Sequence, residues 1–84
     1  MNIIIYTRSG CKYCSQVKEL MSRSQFEYEE RFISTPEQRQ KFLTEHAGAK
    51  TYPYVIIDGK PIGGLVETAK LFVENKWIKA QNQQ

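Results

Sequence analysis

Apolar residues fall into short runs separated by charged and polar stretches, and the spacing within each run implies an element. Ile3-Ile4-Ile5-Tyr6 is continuous, short and β-branched, as a strand buried on both faces would be. From Lys12 to about Ser22 the spacing turns helical, with Cys14, Val17, Leu20 and Met21 on one face. Phe26, Tyr28 and Phe32 suggest a second strand, although the alternation breaks at Glu30. In "STPEQRQKF" a second helix begins: Thr35 can cap it, Pro36 suits the first helical position and Gln38 falls where a capping box needs it. Phe42, Leu43 and Ala47 would then face the core, and Gly48 would end the helix. "YVIIDGKPIGG" reads as a hairpin, with strands 54–57 and 60–62 around an Asp58-Gly59 turn. A last helix from 65 to about 75 would turn Leu65, Ala69 and Phe72 inward.

Strands separated by helices call for parallel pairing through right-handed crossovers, and the closing hairpin is antiparallel. The expected architecture is α/β, in the order β-α-β-α-β-β-α: a four-stranded mixed sheet flanked by helices, the shape of a thioredoxin-like fold. Its 84 residues make a single domain, with the polar residues 79–84 fraying. The charge balance, 12 basic against 9 acidic residues, is mild and the basic residues are scattered, so nucleic-acid binding is not expected. No apolar run is long enough to span a membrane. The start "MNIIIYTR" shows no basic leader or small-residue cleavage site, which makes a cytoplasmic address the expectation. There thiols are normally kept reduced.

That compartment gives weight to the placing of the cysteines. The chain has two, Cys11 and Cys14, one turn apart after the first strand. At the start of a helix Cys11 would meet unpaired backbone N–H groups and the positive end of the dipole. Its thiol should ionise below the reference of about 8.5 and become nucleophilic near neutral pH. Cys14 lies within disulfide reach, so Cys11 can attack a disulfide and Cys14 can resolve the mixed disulfide that forms. Lys12 beside Cys11 should favour the thiolate further. Other readings carry less. Closing so short a loop as a structural disulfide stabilises by only about 2 kcal/mol. A zinc site needs about four ligands, and His46, read as solvent-facing, is the one imidazole. Two inert core cysteines would leave the strand–CxxC–helix context without a purpose.

Two further stretches could complete a site. In "AKTYPYVIIDG", a cis bond before Pro53 would turn the Tyr52 backbone toward the cysteines, where its N–H and C=O could pair with an extended peptide-like substrate; the plainer alternative is a trans proline opening a strand. In "IGGLVET", the Gly63-Gly64 turn would expose backbone N–H groups at Leu65, Val66 and Glu67, a cradle for a carboxylate. A simple loop-to-helix turn is the bland reading.

The sequence resembles the glutaredoxins over nearly its whole length. "IYTRSGCKYC" is similar to the family's strand and CPYC start, "GAKTYP" to its GARTVP-type segment, and "IDGKPIGG" to its closing hairpin. The resemblance implies an enzyme, a glutathione-dependent thiol–disulfide oxidoreductase that acts as a monomer. In it Cys11 attacks protein disulfides or glutathionylated cysteines, Cys14 resolves, and glutathione is the reducing co-substrate; ribonucleotide reductase is one familiar client of the family. Arg8, Gln40 and Lys50 match positions that hold the glycyl end of glutathione, and Tyr13 lies beside the thiols. Thr51 and Tyr52, followed by Pro53, match the segment that pairs with its cysteinyl backbone. Gly64, Leu65 and Val66, with Glu67 nearby, match the turn that holds its γ-glutamyl carboxylate. Three departures bear on function. Lys12 replaces the commonest proline, which favours the thiolate and a more oxidising potential; Tyr52 stands where valine is common; Val66 stands where a polar side chain often assists. Loss of one charge-assisted hydrogen bond there would weaken glutathione binding by about 1.5–3 kcal/mol if uncompensated. Two alternatives remain at this point: a redoxin served by thioredoxin reductase, whose aromatic and Arg-Pro segment "IGGLVET" lacks, and a module holding a [2Fe–2S] cluster between two chains through Cys11 and glutathione.

Overall fold

The computed structural model describes residues 1–78; the tail, 79–84, expected to fray, lies outside the described residues. The elements follow the expected order: β1 (Ile3–Arg8), α1 (Cys14–Arg23), β2 (Glu29–Ile33), α2 (Pro36–Glu45), β3 (Tyr54–Ile57), β4 (Lys60–Gly63) and α3 (Leu65–Glu74). They form one four-stranded mixed sheet ordered β2-β1-β3-β4.

The period-two alternation of the central strands divides the core. Ile3, Ile5, Val55 and Ile57 point to one face, where Val17, Leu20 and Met21 of α1 and Phe72 of α3 cover them. Tyr6, Tyr54 and Ile56 point to the other face, where α2 contributes Phe42. The continuous apolar runs of β1 and β3 thus reflect helices on both sides. Phe26, expected in the second strand, precedes it and joins the first cluster instead, edge-on to Phe72 and Trp77. β2 is an edge strand whose first four residues are exposed. Glu29–Arg31 and Lys18–Glu30 ion pairs place charge along and beside it, the usual protection of a free edge.

One pairing departs from expectation. β1 runs parallel to β2, but β3 is antiparallel to β1 as well as to β4. The reason lies in where the α2 connection begins and ends. Ile33, ending β2, sits opposite Arg8, and Tyr54, opening β3, sits opposite Tyr6. Both ends of the connection therefore lie at the C-terminal end of β1, and no return across the sheet is needed. Gly63, ending β4, is opposite Val55 and lies toward the same end. The antiparallel β3 thus gathers the cysteine loop, the α2–β3 loop and the start of α3 at one end of the sheet.

Local chemistry sets the remaining boundaries. Thr35 Oγ1 accepts from the Gln38 N–H and Gln38 Oε1 accepts from the Thr35 N–H, both at 3.1 Å, completing the expected capping box. α2 ends sooner than read: His46, not Gly48, is its C-cap, and Leu43 and Ala47 are exposed, leaving Phe42 as its one buried residue. His46 is half-buried rather than solvent-facing, stacked near Tyr6, Phe42 and Tyr54. Asp58 and Gly59 both take positive φ, as a two-residue hairpin turn with the right twist requires.

Candidate active site

The residues after β1 turn back at once, the Cys11 N–H donating to the Arg8 carbonyl at 3.2 Å. α1 begins at Cys14 with Tyr13 as its N-cap, two residues later than the spacing implied. Cys11 therefore lies in the turn ahead of the helix, and Cys14 occupies its first position. The two are joined as a disulfide with Cα atoms 5.5 Å apart, an ordinary separation for such a bond. The bond carries the Cys11 sulfur to the N-terminal end of α1, where the first-turn N–H groups lack partners within the helix.

The two sulfurs are not equivalent. Cys14 is only 7% exposed, whereas Cys11 is half-buried and lines a cleft of about 420 Å³. A substrate in that cleft meets Cys11 first, and Cys14 waits behind it. This asymmetry suits an attacker and a resolver.

The cleft collects residues from three segments: Arg8 at the end of β1 with Ser9 and Lys12 in the cysteine turn that follows, Arg39, Phe42 and Leu43 of α2, and Lys50, Thr51 and Tyr52 of the α2–β3 loop. Arg8, Lys50, Thr51 and Tyr52, named from the sequence, therefore come together with Cys11. Gln40 lines an adjoining groove that shares Arg8, Arg39 and Tyr52 with the cleft. Tyr13 is 43% exposed and does not line the cleft; the Lys12 ammonium lies 5.4 Å from its ring centre. Pro53 is buried, and the Tyr52–Pro53 bond is cis. Tyr52 is packed between Phe42, with ring centres 5.4 Å apart, and the Arg8 guanidinium, 5.5 Å from its ring centre. Its bulk fixes Arg8 over the groove by cation–π attraction.

The start of α3 adjoins this loop. A Cβ built on Gly64 would lie 3.6 Å from the Pro53 carbonyl oxygen and 3.9 Å from Thr51 Oγ1. Gly63 adopts φ +121°, and a side chain there would also press on Glu67 at 3.2 Å, so glycine is required. Gly64 is the N-cap of α3, and its N–H already donates to Glu67 Oε1 at 3.0 Å. The Glu67 carboxylate thus already occupies the Gly64 N–H, beside the cradle expected of the Leu65, Val66 and Glu67 N–H groups. Leu65 and Val66 border a separate apolar groove between α1 and α3, with Val66 75% exposed.

Arg39 is the charged cleft residue that sequence reasoning passed over. The signal was present: the capping box fixes the start of α2, which puts Arg39 one turn before Leu43 on the face beside Phe42.

Comparison with known proteins agrees with this geometry. The Glutaredoxin family profile matches residues 3–62. Glutaredoxin 1 of Rickettsia conorii is 39% identical over 64 residues, covering 74% of this chain and 63% of that protein. Glutaredoxin 1 of Rickettsia prowazekii is 34% identical over 84 residues, covering 98% of this chain and 88% of that protein. Among solved structures, a buckwheat glutaredoxin–glutathione complex superposes with a TM-score of 0.73 at 28% identity, covering 89% of this chain and 71% of that one. A redox-active pair in this thioredoxin-like fold supports thiol–disulfide oxidoreductase activity, and the chain belongs to the glutaredoxin family.

Proposed function

We propose that the protein is a glutathione-dependent thiol–disulfide oxidoreductase that reduces protein disulfides and glutathione mixed disulfides through Cys11 and Cys14. The observation that carries this reading is the placing of the more accessible sulfur in a cleft lined by Arg8, Lys12, Arg39 and Lys50 and, among the described residues, by no carboxylate. Glutathione is an anionic, extended tripeptide, and its glycyl carboxylate finds cations there. Tyr52 borders the same cleft, and its backbone suits an extended peptide partner. The γ-glutamyl end carries an ammonium beside its carboxylate. Glu67 can accept from that ammonium, while the Leu65 and Val66 N–H groups remain for the carboxylate. Nearby Val66 offers no polar side chain, so binding at this end relies on backbone donors.

The cycle balances as two-electron exchange. The Cys11 thiolate attacks one sulfur of a client disulfide and the other leaves as a thiolate. Cys14 loses its proton and attacks the Cys11 sulfur, releasing the second client thiolate and forming the Cys11–Cys14 bond present in the structure. Two glutathione molecules then restore the dithiol and leave as their disulfide. For a glutathionylated client, Cys11 alone suffices, because a second glutathione can resolve it.

Supplying each electron donor separately tests the proposal. Turnover should require glutathione with its reductase. Turnover with thioredoxin reductase alone would overturn the reading in favour of a redoxin of the other class. Cys11→Ser should abolish activity on either kind of client.

A further inference from the structure

The cations at the cleft outnumber what one glutathione needs. Arg8 and Lys12 flank the cysteine turn, Arg39 comes from α2 and Lys50 from the α2–β3 loop; all are exposed, and all line the cleft that holds Cys11. No Asp or Glu among the described residues lines it. Among the described residues the ion pairs are Lys18–Glu30 and Arg31–Glu29, so none of the four is neutralised by a carboxylate. Arg8 and Lys12 rest instead over the rings of Tyr52 and Tyr13, which leave their charge intact. The chain has 12 basic and 9 acidic residues, so setting these four aside leaves eight basic against nine acidic. Four of the twelve basic residues thus stand together at the mouth of the redox cleft. Glutathione, with two carboxylates and one ammonium, offsets a single unit of it.

We infer that this surface selects its protein clients by charge, taking a disulfide flanked by acidic residues. The inference rests on the exchange chemistry proposed above and assigns the client class to the same site. Like-sign charges brought together at a cleft focus the field and raise the encounter rate of an oppositely charged partner by about 10- to 1,000-fold. A basic flank is repelled by the same field. The transfer is unchanged: two electrons pass from the Cys11–Cys14 dithiol to the client disulfide, whose sulfurs leave as thiolates and take up the two protons released.

The test uses the full chain, reduced beforehand with a small dithiol that is then removed, so that no glutathione is present. Three synthetic peptides, each closed by one disulfide and differing only in flanking Glu, Ser or Lys residues, are reduced in single-turnover reactions. The Glu peptide should react about tenfold or more faster than the Lys peptide at low salt, with Ser between them, and the spread should collapse at high salt. The double variant Arg39→Gln, Lys50→Gln should narrow the Glu-to-Lys ratio. Equal rates at low salt, or a ratio insensitive to salt, would overturn the inference, and so would an undiminished ratio in a folded double variant. If that variant fails to fold, the salt dependence of the unaltered protein decides. Failure to reduce any of the three overturns the exchange itself. Because glutathione is absent, a failed glutathione assay leaves this readout standing, and the reverse holds.

Discussion

Phe42 is the single buried residue of α2, at 2% exposed, and it ties that helix and the cleft loop to the sheet. Its ring has four aromatic neighbours, Tyr6, Tyr52, Tyr54 and His46, at centroid distances from 4.4 to 5.6 Å. Phe42→Ala removes the ring and leaves a void that these neighbours fill only in part, a loss of about 3–5 kcal/mol. A domain of this size is stable by about 4–13 kcal/mol in total, so the variant should sit near the limit of folding. Each kcal/mol moves Tm by about 4–8 °C, giving a fall of about 12 °C or more. Leu43→Ala makes the control: it is the next residue of the same helix, 37% exposed, and should lose less than about 1 kcal/mol. Urea unfolding of the disulfide form, followed by circular dichroism and by Trp77 fluorescence, measures both. Trp77 packs against Phe26 and Phe72 on the opposite face, so coincident transitions would show that the two clusters unfold together. A Phe42→Ala loss below about 1 kcal/mol, or equal losses in the two variants, would refute the claim that one ring anchors α2.

Lys12→Ala should raise the Cys11 thiol pKa by removing a neighbouring cation, an effect read from the pH dependence of thiolate ultraviolet absorbance in the reduced protein; an unchanged titration would contradict it. Thr35→Ala removes the acceptor of the Gln38 N–H and should destabilise by about 1 kcal/mol, seen as a lower urea midpoint at unchanged slope. The Glu30 carboxyl is held below its ordinary 4.5, first by the hydrogen bond from Lys18 and then by that from Thr7. A depressed carboxyl stabilises above its unfolded pKa, and the gain is lost as pH falls through the folded value. Glu30→Gln should therefore flatten the loss of stability below about pH 4.5, by about 1 kcal/mol or less because the pair is partly exposed.

What the sequence made legible was local. The β-branched run at Ile3, the Asp58-Gly59 turn and the Thr35–Gln38 box each encode an element within a few residues, and each occurs as read. The antiparallel pairing of β1 with β3 was not legible, because it depends on which end of the sheet the α2 connection returns to, a tertiary matter. Leu43 and Ala47 share the helical spacing of Phe42, yet α2 reaches the sheet through one ring, and spacing alone cannot tell a broad buried face from a single point of contact. At the site, the cysteine pair was readable because its chemistry is bound to its spacing, whereas Thr51, Tyr52 and Pro53 were named through the resemblance of their segment to a family motif. Arg39 was not readable, since a lone basic residue on an exposed helix gains meaning only when two other segments meet it. The Glu67 carboxylate closing on Gly64 was likewise a matter of side-chain direction.

Trapping the intermediate offers the most direct check on the central claim, that Cys11 accepts glutathione from a mixed disulfide. Cys14→Ser removes the resolver, so a glutathionylated peptide reacted once with the reduced variant should release free peptide and leave one glutathionyl group on Cys11, identified by mass. Peptide retained on Cys11 with glutathione released, or no adduct at all, would contradict it.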